Sequence, residues 1–282
     1  MPGAFAHMTL VNLARSDKHL DQVDLNTKAK KALYRHLEFI ELGAVSPDYP
    51  YLALTAKHKF WADCIHVEYK TNNIIFKAIK DIRKIKDKKE KRKVFAWLCG
   101  FVGHIVTDLV IHPVVELKVG EYKGNEKEHR ICEMNQDTYI YKRLNAGNIG
   151  VTEHLSSGIS TCNDKGNRDL IYKPVRKIWE NMLEVADTKR FEENKPDIDK
   201  WHKSFNTIVD ISEEGQNLFS LARHVAVEQG LTYPIYKEID QQYIKNLVVP
   251  NDGIMSYDDI FDKAIVKVLE SWKILGDAVY GD

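Results

Sequence analysis

Residues Val94 to Val115 read VFAWLCGFVGHIVTDLVIHPVV, an apolar run interrupted by His104, Asp108 and His112. On a helix these three stand at i, i+4 and i+8, so one face carries them along roughly 12 Å of axis. The stretch is long enough for a membrane span, but ionisable groups at that depth in lipid are costly. It therefore reads as the buried central helix of a soluble protein, ending at the His112–Pro113 step. A dry helix tolerates an Asp between two His only where strong partners meet them. Divalent metal ions are the usual partners of imidazole and carboxylate gathered on a dry face.

Working outward, EHRICEMNQD places His129 and Glu133 at i and i+4 of a second helix, spanning about Glu126 to Leu144. A helical hairpin would bring the two ligand stripes together. Upstream, helical patterns cover Lys28–Leu42 (with Glu41 on the patterned face and Gly43 as a stop), Leu54–Tyr69 and Asn73–Lys84. Downstream they cover Tyr172–Val185, Asp197–Val209, Glu213–Gly230 and Asp258–Val279. Ala44–Tyr51, AVSPDYPY, has two prolines around Asp48 and reads as a rigid loop. Arg83–Lys93 is almost entirely charged and lacks interleaved aromatics, so it reads as an exposed helix end or turn. Asn145–Gly166, rich in Gly, Ser, Thr and Asn, reads as a long loop with room for a short hairpin. Few segments alternate as strands do, and nothing repeats. The fold class expected is all-α: a single domain over 1–282, with a metal-binding half at about 1–140 and a helical half at about 165–282 completing the bundle.

Composition sets the frame. Of 282 residues 44% are apolar and 29% charged, ordinary for a packed globular protein. Lys plus Arg (41) balance Asp plus Glu (41), so no net field favours sequence-independent binding to a polyanion. The N-terminus shows no basic segment followed by an apolar core, which points to a cytoplasmic location. The four cysteines, Cys64, Cys99, Cys132 and Cys162, form no Cys-x-x-Cys pair and are expected reduced.

Together these residues form an ordered set: Ala6-His7, the Asp48 segment, Trp61-Ala62-Asp63-Cys64-Ile65-His66, Gly103-His104-x-x-x-Asp108-x-x-x-His112-Pro113 and His129-x-x-x-Glu133. The set resembles the zinc-dependent phospholipase C family. That family is related to the N-terminal domain of glycosylphosphatidylinositol-specific phospholipase D and to the fungal single-strand nucleases. The resemblance covers about residues 1–140. It implies a multi-helix bundle with three zinc ions, at least two, between its helices. By resemblance Asp48, His66, His104 and Asp108 would hold one ion, and His112, His129 and Glu133 a second. His7 and the other oxygen of Asp108 would hold a third. Two features depart from secreted bacterial members. The N-terminal Trp is missing, and the Asp108–His112 spacing is that of the phospholipase D branch. Family members with a processed terminus use the terminal amine and carbonyl on the third ion; excision of Met1 here would leave Pro2 with a free imino group five positions before His7.

Such a site suits hydrolysis of phosphoric esters, phosphodiester or phospholipid head group, by a metal-activated water. Asp48 is expected foremost as a ligand, and also as the group that orients or deprotonates that water. Asp63, Glu68, Glu116 and Asp137 are candidate acceptors for the ligand imidazoles. Phe5, Tyr49, Tyr51 and His154 are candidate substrate contacts, with Phe60 and Trp61 nearby. His19, His36 and His202 read as solvated helix residues, and His58 lies in a polar Lys-His-Lys context. Partners expected are a phosphoester small molecule or a phospholipid; nucleic acid is less favoured, and no integral membrane segment is expected. Two alternatives stay open: a single-strand nuclease or nucleotidase, and a metal-binding scaffold or zinc hydrolase of a non-phosphate bond.

Overall fold

A computed structural model describes residues 3–53, 55–66, 68–145, 158–214 and 232–281. Twelve α-helices are described: α1 (Ala4–Ala14), α2 (Asp17–Leu20), α3 (Thr27–Arg35), α4 (Leu37–Val45), α5 (Ala56–His66), α6 (Glu68–Lys84), α7 (Lys88–Val119), α8 (Glu126–Tyr141), α9 (Lys173–Ala186), α10 (Thr188–Glu193), α11 (Ile198–Glu214) and α12 (Tyr257–Tyr280). Two small hairpins join them, β1–β2 (Asn163–Asp164 with Asn167–Ile171) and β3–β4 (Leu247–Val249 with Gly253–Met255). The fold is all-α. The first hairpin turns at Lys165 and Gly166, both at positive φ, the backbone pair that a two-residue primed turn requires.

The axis of the molecule is α7, 32 residues and about 48 Å long. Asp87 starts it, its carboxylate accepting from the Glu90 amide at 2.7 Å, while the charged run before Val94 remains exposed or half-exposed. From Val94 to His104 every residue is buried, because neighbours pack all round. The helix is long and apolar enough to cross a membrane, yet 78% of its most apolar window is buried inside the fold. It does not stop at Pro113 as expected but runs on to Val119. Proline removes the donor to the Leu109 carbonyl. That loss falls on the solvent side, where Leu109 is 67% exposed, so the helix survives it.

What fixes the crossing of α4 over α7 is a pair of glycines. A Cβ on Gly43 would stand 2.0 Å from the Trp97 carbonyl oxygen, and one on Gly100 would stand 1.9 Å from that of Ile40. The two backbones therefore touch, a closeness that no side chain permits. All five tryptophans are buried, and two of them border this crossing. Trp97 Nε1–H donates to Ser46 Oγ at 2.9 Å, and Trp272 Nε1–H to the Cys99 carbonyl at 2.8 Å, so these two large rings bury without orphaned donors.

The single helix expected over Lys28–Leu42 is two, α3 and α4, broken at His36, whose non-helical backbone (φ −134°, ψ 53°) turns the chain. The segment carrying Asp48 is a 3-10 helix, Ser46–Ala53, rather than a loop. Residues 146–157 of the long loop lie outside the described residues, as does most of the helix expected over Glu213–Gly230. All four cysteines are free and buried.

Glu41 lies on the packed face of α4 instead of in solvent. Asn12 Nδ2 donates to its Oε1 at 2.7 Å, yet burial outweighs that bond and pushes the carboxyl up to about 7. A raised acid contributes stability that is complete below pH 4.5 and is lost as the pH climbs through about 7. The Glu41→Gln variant should therefore lose less stability than wild type between pH 5 and 8, by on the order of 2–3 kcal/mol. Urea unfolding at the two pH values measures it; parallel losses in both proteins would refute the assignment.

Candidate metal centre

The ligand stripe of α7 meets three other elements. His104 Nδ1–H donates to the Ala44 carbonyl at 2.7 Å, a contact the glycine crossing creates, and its Nε2 is turned into the cluster. There it stands 3.2 Å from Asp108 Oδ2 and 3.7 Å from Asp48 Oδ1. On α5, His66 Nδ1–H donates to the Ala62 carbonyl at 2.8 Å. His66 Nε2 lies 3.4 Å from Asp108 Oδ2, 3.7 Å from Asp48 Oδ1 and 3.4 Å from His104 Nε2. From α1, His7 stacks on His104 with ring centroids 3.8 Å apart, its Nε2 3.4 Å from Asp108 Oδ1. Asp108 thus faces His7 with one oxygen and His66 and His104 with the other.

Donor atoms of His7, His104 and Asp108 lie within 4.8 Å of one another, and so do those of Asp48, His66 and His104. One turn further along α7, the His112 ring is 6.2 Å from that of His129 on α8, and His129 Nδ1 is 3.9 Å from Glu133 Oε1. His129 Nε2–H donates to the Gly120 carbonyl at 2.7 Å. Five of the expected ligands, His7, Asp48, His66, His104 and Asp108, thus come together, and His112, His129 and Glu133 neighbour one another one turn further along α7. The acceptors behind them differ from expectation. Backbone carbonyls of Ala44, Ala62 and Gly120 orient the rings, while Asp63 takes the Tyr51 hydroxyl and Asp137 takes backbone amides of α1. Of the expected carboxylates only Glu116 meets a ligand ring, 3.2 Å from His112 Nε2. The expectation for Glu68 falls outside the described side chains.

The donor set fits zinc. Both His7 nitrogens, Asp48 Oδ1, both Asp108 oxygens, His112 Nδ1 and His129 Nδ1 are buried without a hydrogen-bond partner. Such atoms are expensive to leave unmet unless a cation meets them. Burial pulls the His104 imidazole down, but the Asp108 and Asp48 carboxylates overcome it and raise it to about 9. Burial lowers His7, with His104 adding to the effect. For Asp108, burial raises the carboxyl, and His104, His66 and His7 reverse this to well below the ordinary range. A field that draws a proton to His104 draws a divalent cation to the same place.

Substrate contacts depart further from expectation. Tyr49 is buried against Trp179, His202 and Phe205, its ring 4.9 Å from Phe205, and cannot touch substrate. It anchors the Asp48 segment to α9 and α11. Phe5 is likewise buried, edge-on to Tyr141 and Tyr233, and Trp61 is a core residue. Tyr51 does flank the cluster, tilted against His66 at 6.1 Å. Tyr122, which no motif in the sequence marks, stands edge-on to His129 at 5.1 Å and is exposed. His154 lies outside the described residues. His36, His58 and His202 are buried rather than solvated, and burial takes His202 down to about 4. His58 serves as acceptor for Trp201 Nε1–H at 3.0 Å.

A family model described as zinc-dependent phospholipase C matches residues 6–189, reaching some fifty residues beyond the stretch that carries the sequence resemblance. No curated protein and no solved structure matches the chain.

Proposed function

Because the chain belongs to the zinc-dependent phospholipase C family, we propose that it hydrolyses a phosphoric ester at a multinuclear zinc site. The observation that carries the reading is the convergence of imidazole and carboxylate atoms of His7, Asp48, His66, His104 and Asp108 from α1, the 3-10 segment, α5 and α7, with the buried, unpartnered ring nitrogens of His112 and His129 one turn further along α7. Asp48, His66, His104 and Asp108 would hold one ion, His112, His129 and Glu133 a second, and His7 with the remaining oxygen of Asp108 a third. Zinc, when bound, polarises the phosphoryl oxygens and acidifies water.

The chain's own groups do the rest. Carbonyls of Ala44, Ala62 and Gly120 hold the protons on the outward nitrogens of His104, His66 and His129, which leaves the inward nitrogens as lone-pair donors. Asp48 is 29% exposed at its side chain, so its carboxylate reaches both the cluster and the entering water and accepts the proton released in attack. The 3-10 helix and the Tyr49 anchor keep that carboxylate in place.

For the leaving group, one surface feature favours a lipid. Ile105, Leu109, Pro113 and Leu117 stand at i, i+4, i+8 and i+12 of α7, one residue round from the ligand stripe; Leu109 and Leu117 are 67% and 57% exposed. An apolar ridge beside the site is the rim an acyl-bearing substrate needs. The double variant Leu109→Asp/Leu117→Asp should lose at least ~10-fold activity on phosphatidylcholine micelles, given ~1.5 kcal/mol or more per buried Leu. Hydrolysis of bis(p-nitrophenyl) phosphate should stay within about twofold. Equal loss on both substrates would remove the lipid reading. Tyr51 and Tyr122, which flank the cluster, favour a second reading, stacking of a nucleobase in a nuclease or nucleotidase. A panel of phosphocholine lipids, single-stranded DNA, mononucleotides and simple diesters tests the function as a whole. Zinc at full stoichiometry with no ester cleaved would leave a scaffold, or a hydrolase of another bond.

A further inference from the structure

His7 differs from its neighbours in one respect. His66, His104 and His129 are each aimed by a ring N–H donated to a backbone carbonyl, whereas neither nitrogen of His7 has a hydrogen-bond partner. Its direction must come from the helix it rides on. That helix, α1, has no side-chain cap from Gly3 and no acidic residue in its first turn, so its leading amides find no local side-chain acceptor, only the Gly3 carbonyl, which the Ala6 amide reaches at 3.1 Å.

The side-chain acceptor comes from α8. Asp137, wholly buried, takes the Ala6 amide on Oδ1 at 2.8 Å and the Phe5 amide on Oδ2 at 3.3 Å. The Tyr233 hydroxyl donates to the same Oδ2 at 3.1 Å. The approach is so close that a Cβ on Gly3 would lie 2.1 Å from Oδ2. The Phe5 ring is wedged between Tyr141 and Tyr233, which closes the same contact from the side. Asp137 stands four residues after Glu133 and eight after His129, on the face of α8 that meets the cluster. A carboxylate on the leading amides of a helix is favourable both as a hydrogen-bond acceptor and against the helix dipole.

We propose that Asp137 is a positioning residue. It clamps the first turn of α1 to α8 and thereby sets His7 opposite Asp108. It does through two backbone amides what the Ala44, Ala62 and Gly120 carbonyls do for the other imidazoles. The inference rests on the reading of His7 as a ligand; Asp137 itself touches neither metal nor substrate.

The test uses the full zinc-loaded chain. Zinc per chain and the affinity of each class of ion are read by competition with a chromogenic chelator. The proteins compared are wild type, His7→Ala, Asp137→Ala, Asp137→Asn, Gly3→Ala and His7→Ala/Asp137→Ala. Asp137→Ala should weaken the His7-dependent ion about 10–100-fold, as outer partners of metal ligands do, and leave the other ions in place. Gly3→Ala, which moves the helix without removing the carboxylate, should weaken the same ion. Asp137→Asn, which keeps one carbonyl acceptor, should recover part of the affinity. Removing Asp137 in the His7→Ala background should cost no further zinc affinity, because the two act as one unit. A lower melting temperature with unchanged affinity of that ion in Asp137→Ala and Gly3→Ala overturns the positioning role alone. Unchanged zinc in His7→Ala overturns the ligand reading and the positioning role with it.

Discussion

Asp108→Asn is expected to reduce phosphoesterase activity by ~10³-fold or more, beyond the 10–100-fold typical of outer partners, and to lower zinc content by at least one ion. Asp108 is the group on which the cluster turns. Its Oδ1 faces His7 at 3.4 Å, and its Oδ2 faces His66 at 3.4 Å and His104 at 3.2 Å. Asparagine keeps the volume but removes the charge and turns one acceptor into a donor aimed at imidazole nitrogens. The fold should survive, since the change opens no cavity and leaves Asp48 facing His66 and His104 at 3.7 Å, although His7 loses the carboxylate nearest to it. Zinc per chain, activity and the melting temperature of the metal-free protein check the three parts separately. Wild-type zinc content in this variant would contradict the shared role of the carboxylate.

Gly100→Val should destabilise the fold by ~3 kcal/mol or more, at or above the upper range of overpacking. The added Cβ would meet the Ile40 carbonyl oxygen at 1.9 Å, and backbone cannot swing aside as a side chain can. The metal site should suffer with it, because prising α4 from α7 withdraws the Ala44 carbonyl from His104 Nδ1. Gly103→Ala is the control on the same helix. There a Cβ meets a Val11 methyl at 3.2 Å, which a small shift relieves, so the loss should stay under about 1 kcal/mol. Urea midpoints of the metal-free variants measure both; equal midpoints would mean that the two helices cross more loosely than their glycines imply.

The candidate site is legible in the sequence because its donors are local repeats. His104, Asp108 and His112, and then His129 and Glu133, announce themselves through i, i+4 spacing on helices that would otherwise bury charge for nothing. What orients them is not legible. The carbonyls of Ala44 and Gly120 carry no sequence signature, and carboxylates such as Asp63 and Asp137 look like better acceptors until the chain is folded. Asp137 meets α1 across some 130 residues, and Tyr49 meets Phe205 across more than 150; no periodicity records such contacts. Helix ends escape the pattern for local reasons. Pro113 continues α7 because the orphaned Leu109 carbonyl falls on the wet side, and His36 breaks one expected helix into two. Gly43 reads in the sequence as a helix stop, although with Gly100 it sets the backbone contact that delivers Ala44 to His104.

Zinc bound at Asp108 would explain why an acidic group lies buried on α7, and zinc can be located there directly. Crystals of protein purified from zinc-supplemented medium without chelator should show, in anomalous difference maps above and below the zinc edge, a peak within bonding distance of each Asp108 oxygen and another between His112, His129 and Glu133. Maps without a zinc peak at Asp108, with the protein folded as described, would contradict the account.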